Sequence, residues 1–111
     1  MKIRLADIAY ARSGDKGAHA NVGVWVHNDD AYDFVLGALT ADVVRAHFAS
    51  LRPAAVERYE LPNIRALNFM LFGVLGTGGA SGGLRTDAQA KTYSARILSI
   101  ELDAPESRLS L

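Results

Sequence analysis

Alternating apolar and polar residues predict strands near both ends of the chain and on either side of its centre. Residues 2–11, "KIRLADIAYA", alternate, and "ANVGVWV" (Ala20–Val26) is rich in β-branched residues. "AVERYEL" (Ala55–Leu61) has a strand-like composition, although Arg58 stands out of phase with the apolar positions. A closing strand is predicted from Ile97 to Leu102, because its residues alternate again.

Two adjacent amphipathic segments predict helices after the second strand. Apolar residues recur at helical spacing over residues 30–39, and Asn28 or Asp29 is suited to cap that helix. Thr40 is a second N-cap residue. Residues 29–50 therefore form either two short helices or one helix with a break at Thr40, and Pro53 ends the segment.

The segment "IRALNFMLFGVL" (residues 64–75) fits a buried helix or a strand, because a short apolar run cannot be assigned by its period alone. We favour a strand, since it would complete a hairpin across the turn at Pro62 and Asn63. The glycine-rich run from Gly73 to Gly83 predicts a loop. A last helix, capped by Thr86 or Asp87, is predicted to end at about Arg96.

The predicted order β-β-α-β-β-α-β contains the β-α-β-β-α-β arrangement of ferredoxin-like folds. We therefore expect an α+β ferredoxin-like sandwich with an additional N-terminal strand, a mainly antiparallel sheet and helices on one face. The other face would expose a large apolar patch if Tyr10, Trp25, Val22 or Phe69 pointed outward, so we expect a second subunit to cover it. Residues 1–103 form the predicted domain, and 104–111 a flexible tail.

Composition narrows the classes of partner. The 111 residues suit one domain, and Lys+Arg and Asp+Glu balance at 12 each, so no net charge favours nucleic acid or an anionic membrane. The absence of cysteine excludes disulfides and thiol chemistry. No apolar run approaches the roughly 20 residues of a membrane span, and the N-terminus does not resemble a signal peptide. A cytoplasmic protein with neither nucleic-acid nor membrane partners is expected.

The glycine-bracketed stretch "RSGDKGAHAN" (Arg12–Asn21) is the main candidate for binding chemistry. Read as a loop, it is longer than the two to five residues that a hairpin needs. Its glycines, with Arg12 and Lys16, could hold a phosphate or a carboxylate, although the spacing is not that of a Walker A loop. The alternative is a long hairpin turn in which Asp15 bonds the backbone and Lys16 is solvated.

His19 is the candidate general base, with Asp15 to orient it and Asn21 to polarise a carbonyl, but no complete catalytic set is present and no catalytic residue is assigned. His47 is expected to be a packed helix residue and His27 a surface residue at a strand end. The three histidines lack the spacing of metal ligands, so we predict neither a metal nor a cofactor.

A second candidate site is the end of the glycine-rich loop. Gly82, Gly83 and the start of the following helix could bind an anion, with Arg85 and Lys91 nearby. Asp87 argues against this, because a capping carboxylate would already occupy that helix end. A flexible loop at a subunit interface explains the same residues.

Three segments together resemble the small ferredoxin-fold domain of the acyclic terpene utilisation AtuA family: "LADIAYARSGDKGAHANVGV", "VERYELPNIRALNFML" and "GGLRTDAQAKT". The resemblance spans Ile3 to about Leu102. The residues that match its motifs are Arg12, Ser13, Gly14, Asp15, Lys16, Gly17 and Asn21, then Leu61, Pro62, Asn63, Asn68 and Phe69, and finally Asp87 and Lys91. Ala90 departs from the glycine that the family usually has before that lysine.

The resemblance implies a ferredoxin-like fold, a strand over residues 64–72, and a context of acyclic terpenoid or branched acyl-CoA catabolism beside a larger AtuA-type domain. We expect an accessory or assembly domain that forms a homo-oligomer and docks on a separately encoded AtuA-type partner. The alternative is a protein that binds a small carboxylate or phosphate ligand of the acyl-CoA type, or an enzyme acting on one. Its candidate ligand-binding residues are Arg12, Ser13, Gly14, Asp15, Lys16, Gly17, His19, Asn21 and Asn63, with Arg85, Asp87 and Lys91 as secondary candidates.

Overall fold

The part of the chain that the structure describes contains six strands and three helices in the order β-β-β-α-α-β-β-α-β. A computed structural model describes residues 1–74 and 87–105, without the side chains of residues 15, 16 and 87–91. The strands are β1 (Lys2–Arg4), β2 (Ala9–Lys16), β3 (His19–Val26), β4 (Ala55–Leu61), β5 (Ala66–Phe72) and β6 (Glu101–Asp103). The helices are α1 (Asp29–Ala38), α2 (Ala41–His47) and α3 (Asp87–Leu98).

The main sheet has four antiparallel strands in the order β2-β3-β5-β4. Strand β5 therefore lies between β3 and β4, the two strands that α1 and α2 connect, as in a split β-α-β unit. Strand β2 occupies the edge beside β3, while the closing strand β6 pairs with β1 in a separate two-stranded sheet. The ferredoxin-like α+β prediction is confirmed.

The helices cover one face of this sheet. Inward residues of β3 and β5, among them Val22, Phe69 and Leu71, are fully buried against the helix layer. The expectation that Val22 or Phe69 points outward is therefore wrong, whereas Tyr10 is exposed on the other face. None of the helices among the described residues combines the length and apolar composition that crossing a bilayer requires.

The helical region between β3 and β4 forms two short helices, which was the first of the two predicted alternatives. The side chain of Asn28 accepts a hydrogen bond from the Ala31 amide at 2.8 Å, and Thr40 Oγ1 accepts one from the Val43 amide at 3.1 Å. Each cap satisfies one amide that the first turn leaves without a partner. The predicted strand at residues 64–75 is also confirmed, as β5.

Both terminal strands are shorter than predicted. Residues 2–11 are interrupted by a 3-10 turn at Leu5–Asp7, where the Asp7 carboxylate accepts a hydrogen bond from the Arg4 amide at 2.9 Å. The predicted strand from Ile97 to Leu102 is wrong over its first four residues, because α3 continues to Leu98 and β6 begins at Glu101. Tyr93 and Ile97 are buried at helical spacing, and this packing decides the structure.

The largest correction concerns Arg12–Asn21, which is not a loop. Strands β2 and β3 remain paired from Ala9 with Val26 to Lys16 with His19, so that only two residues form the turn. Gly17 has a φ of 67°, which fits the first central position of a type II′ hairpin turn. The stretch looked irregular because one face of β2 is not covered by the core and tolerates polar residues.

Candidate functional site

The face of the main sheet opposite the helices is a regular array of side chains, which we call the open face. Strand register arranges it in rows across β2, β3, β5 and β4. The first row is Tyr10, Trp25, Ala66 and Leu61; the second is Arg12, Gly23, Asn68 and Tyr59; the third is Gly14, Asn21, Met70 and Glu57; the fourth contains His19, Phe72 and Ala55. Several signature residues therefore lie on the open face rather than in a loop.

Arg12 lies on the edge strand of the open face. Its side chain is exposed, and no hydrogen bond or ion pair holds it within the described part of the chain. It pairs across the ladder with Gly23, which has no side chain to cover it. Ser13 is half-buried on the opposite side of β2, so these two neighbours in the motif belong to different faces.

Two asparagines meet at the centre of the open face. Asn21 Nδ2 donates a hydrogen bond to Asn68 Oδ1 at 3.3 Å, which joins β3 to β5 through their side chains. A Cβ atom added at Gly14 would lie 3.3 Å from Asn21 Oδ1. Gly14 thus leaves room for the Asn21 amide, and the Asn68 amide nitrogen donates to no acceptor within the described residues.

Gly23 does not make room for a described side chain in the way that Gly14 does for Asn21. An added Cβ atom would meet Trp25 Cζ3 at 3.8 Å and the Arg12 carbonyl and Asn68 Oδ1 at 3.9 Å, which are ordinary contacts. Its φ lies outside the positive range that favours glycine. Since glycine in a strand often marks a close approach of another group, Gly23 is a candidate for contact with an atom from outside the described residues.

His19 is held at one end of the open face. Its Nδ1 accepts a hydrogen bond from the Gly73 amide at 2.9 Å, and its ring contacts the Phe72 ring edge-on with centroids 5.1 Å apart. In the neutral ring, Nε2 therefore carries the proton and acts as a donor. The Nδ1 atom has no proton for a carboxylate to accept, so an orienting partner could act only at Nε2.

Aromatic side chains dominate the other end and one edge. Tyr10 contacts Trp25 and His27, with ring centroids 6.0 and 4.7 Å apart, and is 51% exposed. On β4, the exposed Tyr59 hydroxyl donates a hydrogen bond to the Glu57 carboxylate. This bond raises the pKa of Tyr59, with smaller contributions from desolvation and from the negative charge of Glu57.

The remaining predicted site residues are dispersed. Gly17 forms the β2–β3 turn, whereas the exposed Asn63 lies in the 3-10 turn Pro62–Ile64, which connects β4 to β5 at the opposite end of the sheet. The backbones of Asp15 and Lys16 are in β2, but their side chains are not described, and the same holds for Asp87 and Lys91 in α3. Arg85, Gly82 and Gly83 lie outside the described residues.

The other two histidines have local roles. His47 Nε2 contacts the Arg96 carbonyl at 2.7 Å and Ser99 Oγ at 3.0 Å, at the end of α3. His27 is exposed just after β3, as predicted. Within residues 1–74 and 87–105, no group of three or more His, Asp or Glu residues could hold a metal ion.

Sequence reasoning missed the contribution of β4. Glu57, Tyr59 and Leu61 face outward, while Arg58 points into the helix layer and donates hydrogen bonds to the carbonyls of Leu36 and Leu39 at 2.8 and 3.1 Å. The signal was present in the alternation of "VERYEL". It was hard to interpret because an arginine occupies an inward position.

In chemical terms, the described open face offers donors on one edge and in its centre, and an acceptor on the other edge. Arg12, the two asparagines and His19 Nε2 can donate, and Glu57 is the only carboxylate among its described side chains. Exposed aromatic groups surround these polar atoms. Such a mixture of aromatic, amide and arginine groups is typical of a surface that recognises another molecule.

Comparison with known proteins assigns the chain to a family. No curated protein and no solved structure matches the chain. The model of the AtuA ferredoxin-like domain matches residues 3–103, which include all the strands and helices described above except for Lys2, the first residue of β1. The resemblance noted in the sequence is thereby confirmed, and the chain belongs to the AtuA ferredoxin-like domain family.

Proposed function

We propose that this domain is an accessory assembly subunit of an AtuA-type system, acting in acyclic terpenoid or branched acyl-CoA catabolism. Its open face is the docking surface, and its protein partner is the larger AtuA-type domain. The observation that carries the proposal is the set of large apolar side chains that this face leaves uncovered: Tyr10 at 51%, Tyr59 at 46% and Leu61 at 43% exposure. Large apolar side chains exposed on one face of a sheet are a mark of an interaction site.

Polar groups among these side chains would give the docking specificity. Among the described residues, neither Arg12 nor the Asn68 amide nitrogen donates to an acceptor, and a partner that supplies carboxylate or carbonyl oxygens would satisfy these donors. A partner without such oxygens would bury Arg12 unpaired, which opposes binding. The apolar groups therefore supply affinity, and the polar centre selects the partner.

Co-migration with a larger AtuA-type domain, expressed as a separate protein, tests the proposal. We expect the wild-type chain to co-migrate in size-exclusion chromatography and Tyr10→Glu to abolish this, because a charge would be buried in the docking surface. Ala46→Glu is the matched control, since it places the same charge on the exposed surface of α2. Co-migration that survives Tyr10→Glu and Tyr59→Glu together would contradict docking through the open face.

Arg12 also supports a second candidate function, the binding of a small anion. Arg12 is exposed and has no partner among the described residues, and it lies on the same sheet face as Asn21 and Asn68, so this face is a suitable site for a carboxylate or a phosphate. Nuclear magnetic resonance titration with acetate and with inorganic phosphate tests this candidate. Shifts at Arg12 and Asn68 that disappear in Arg12→Gln but persist in Arg45→Gln would support it, and shifts that persist in Arg12→Gln would contradict it.

A further inference from the structure

In the chain on its own, we propose that the open face is covered by the open face of a second copy, with β2 of each copy lying over β4 of the other. This inference rests on the proposed function in one respect, the use of the open face for docking. It differs in naming a second copy of the chain as the molecule that covers the open face. Experiments on the purified chain alone therefore test it in the absence of the larger domain.

The charges of the two edge strands determine the arrangement. Arg12 is on β2 at one edge and Glu57 is on β4 at the other, and both are exposed. Two identical sheets can pack face to face about a twofold axis that is parallel or perpendicular to the strands. The parallel axis places β2 over β4, which brings Arg12 towards the second copy's Glu57. The perpendicular axis places β2 over β2 and β4 over β4, which brings like charges together.

The distances allow this contact. In the aligned class of sheet packing, which this arrangement follows, the two sheets are about 10 Å apart and their strands cross at about 30°. Arg12 and Glu57 are in neighbouring rows, hence about 7 Å apart along the strand direction once β2 lies over β4. Extended arginine and glutamate side chains bridge such a separation. Each copy contributes both residues, so the twofold axis forms the ion pair twice.

The centre of the open face fits the same arrangement. With β3 over β5, Gly23 faces the second copy's Asn68, and Gly14 near the edge faces the second copy's Glu57. Both glycines therefore lie opposite longer side chains, which gives Gly23 the external neighbour that its own chain does not supply. Tyr10, with half of its surface exposed, lies opposite the second copy's Leu61.

The size of the face sets the strength of association. Four strands of about seven residues give a flat footprint of roughly 400 Å², to which the protruding side chains add. Stable interfaces bury about 800 Å² on each partner, so this dimer belongs to the smaller, concentration-dependent class. It should therefore dissociate within the concentration range of sedimentation experiments.

Charge reversal tests the arrangement by sedimentation equilibrium over a concentration series. We expect a dimer for the wild type, and a dissociation constant raised at least tenfold by Arg12→Glu or by Glu57→Arg, since each creates two like-charge contacts. The double variant Arg12→Glu with Glu57→Arg restores opposite charges across the axis and should return the constant to within a few-fold of wild type. Arg45→Glu on α2 should leave it unchanged.

Several results would overturn the inference. A wild-type chain that stays monomeric at every concentration excludes the second copy, while docking on the larger domain is still tested by co-migration. A double variant no better than the single variants would exclude the β2-over-β4 arrangement. Since Arg12 and Glu57 are exposed, the variants should fold, and circular dichroism checks this. Added salt provides a second measurement, because it should weaken a dimer that depends on ion pairs.

Discussion

The two faces of the four-stranded sheet use the same strands for different purposes. On the helix side, β3 and β5 present only apolar residues, and Val22, Leu67, Phe69 and Leu71 are fully buried. On the open face, the alternate positions of the same strands hold Asn21, Gly23, Asn68 and Met70. The first set is what the fold requires of its own chain. Among the described residues, the second set includes a glycine that makes no room for a neighbour and an Asn68 amide nitrogen that donates to no acceptor, which indicates a surface suited to another molecule.

Adjacent residues of β5 test this division most strongly. Phe69→Ala removes a fully buried ring and should lower the free energy of unfolding by about 3–5 kcal/mol. Met70→Ala, one residue further and on the open face, should lower it by less than about 1 kcal/mol. Urea denaturation at a concentration where the chain is monomeric measures both. Equal losses would mean that the open face is part of the core.

Arg58, on β4, is a charged residue on the helix side of the sheet. Removing its charge should cause the next largest loss in the free energy of unfolding. Its guanidinium donates to two carbonyls at the end of α1 while its side chain is only 20% exposed. Arg58→Met should destabilise the fold by about 1.5–3 kcal/mol, because these carbonyls lose a charged donor. Arg65→Met removes an exposed ion pair with Asp29 and should cost less than about 1 kcal/mol. Similar losses in both variants would contradict a structural role for Arg58.

The comparison of the faces also explains what the sequence could predict. The helical region between β3 and β4 was predicted because a buried face imposes a period on the residues. Strands β3 and β4 were predicted largely from their residue composition, and β5 because a strand would complete a hairpin across Pro62 and Asn63. Strand β2 was predicted as a strand up to Ala11 but taken for a loop from Arg12 onwards, since the inward Ser13 and the outward Gly14 give no alternation of apolar and polar residues. The edge pairing of β6 with β1 depends on tertiary contacts that no local pattern reports. The candidate residues Arg12, His19 and Asn21 were identified, but their position on one flat face became visible only in the strand register.

A tyrosine connects the helix layer to the sheet and makes the helix side sensitive to alkali. The buried Tyr32 hydroxyl donates to the Ala66 carbonyl at 2.9 Å. Desolvation raises the pKa of Tyr32, and the charge of Glu60 raises it further. The folded state therefore holds this proton more tightly than the unfolded state. Its contribution to stability is complete below pH 10 and is lost as the pH rises through the raised pKa.

Tyr32→Phe removes both the hydrogen bond to Ala66 and the proton that titrates, and measurements at two pH values separate their contributions. At neutral pH it should lower the free energy of unfolding by about 1 kcal/mol, since the Ala66 carbonyl loses its hydroxyl donor. Above pH 10 the difference between the two proteins should shrink, because only the wild type then loses the contribution of Tyr32. Denaturation at pH 7 and at pH 10.5 measures both values. Tyr59, whose pKa is also raised, is present in both proteins and therefore does not affect the difference between them. A difference that stays constant with pH would contradict the role of the Tyr32 proton.

Gly23→Ala gives the smallest change in stability and the sharpest test of the open face. The added Cβ atom makes only ordinary contacts with its neighbours, the nearest at 3.8 Å. The free energy of unfolding should therefore not fall, and it should rise by at most about 0.5–1 kcal/mol, since alanine is more favourable than glycine in a strand interior. Gly37→Ala is the control: it lies in α1 with open space around its Cα atom and should stabilise the helix by roughly 0.5–1 kcal/mol. If Gly23 receives an atom of a partner, its substitution should weaken self-association or docking while the fold keeps its stability. Weaker association in Gly37→Ala as well, or unchanged association in Gly23→Ala, would contradict a direct contact between Gly23 and another molecule.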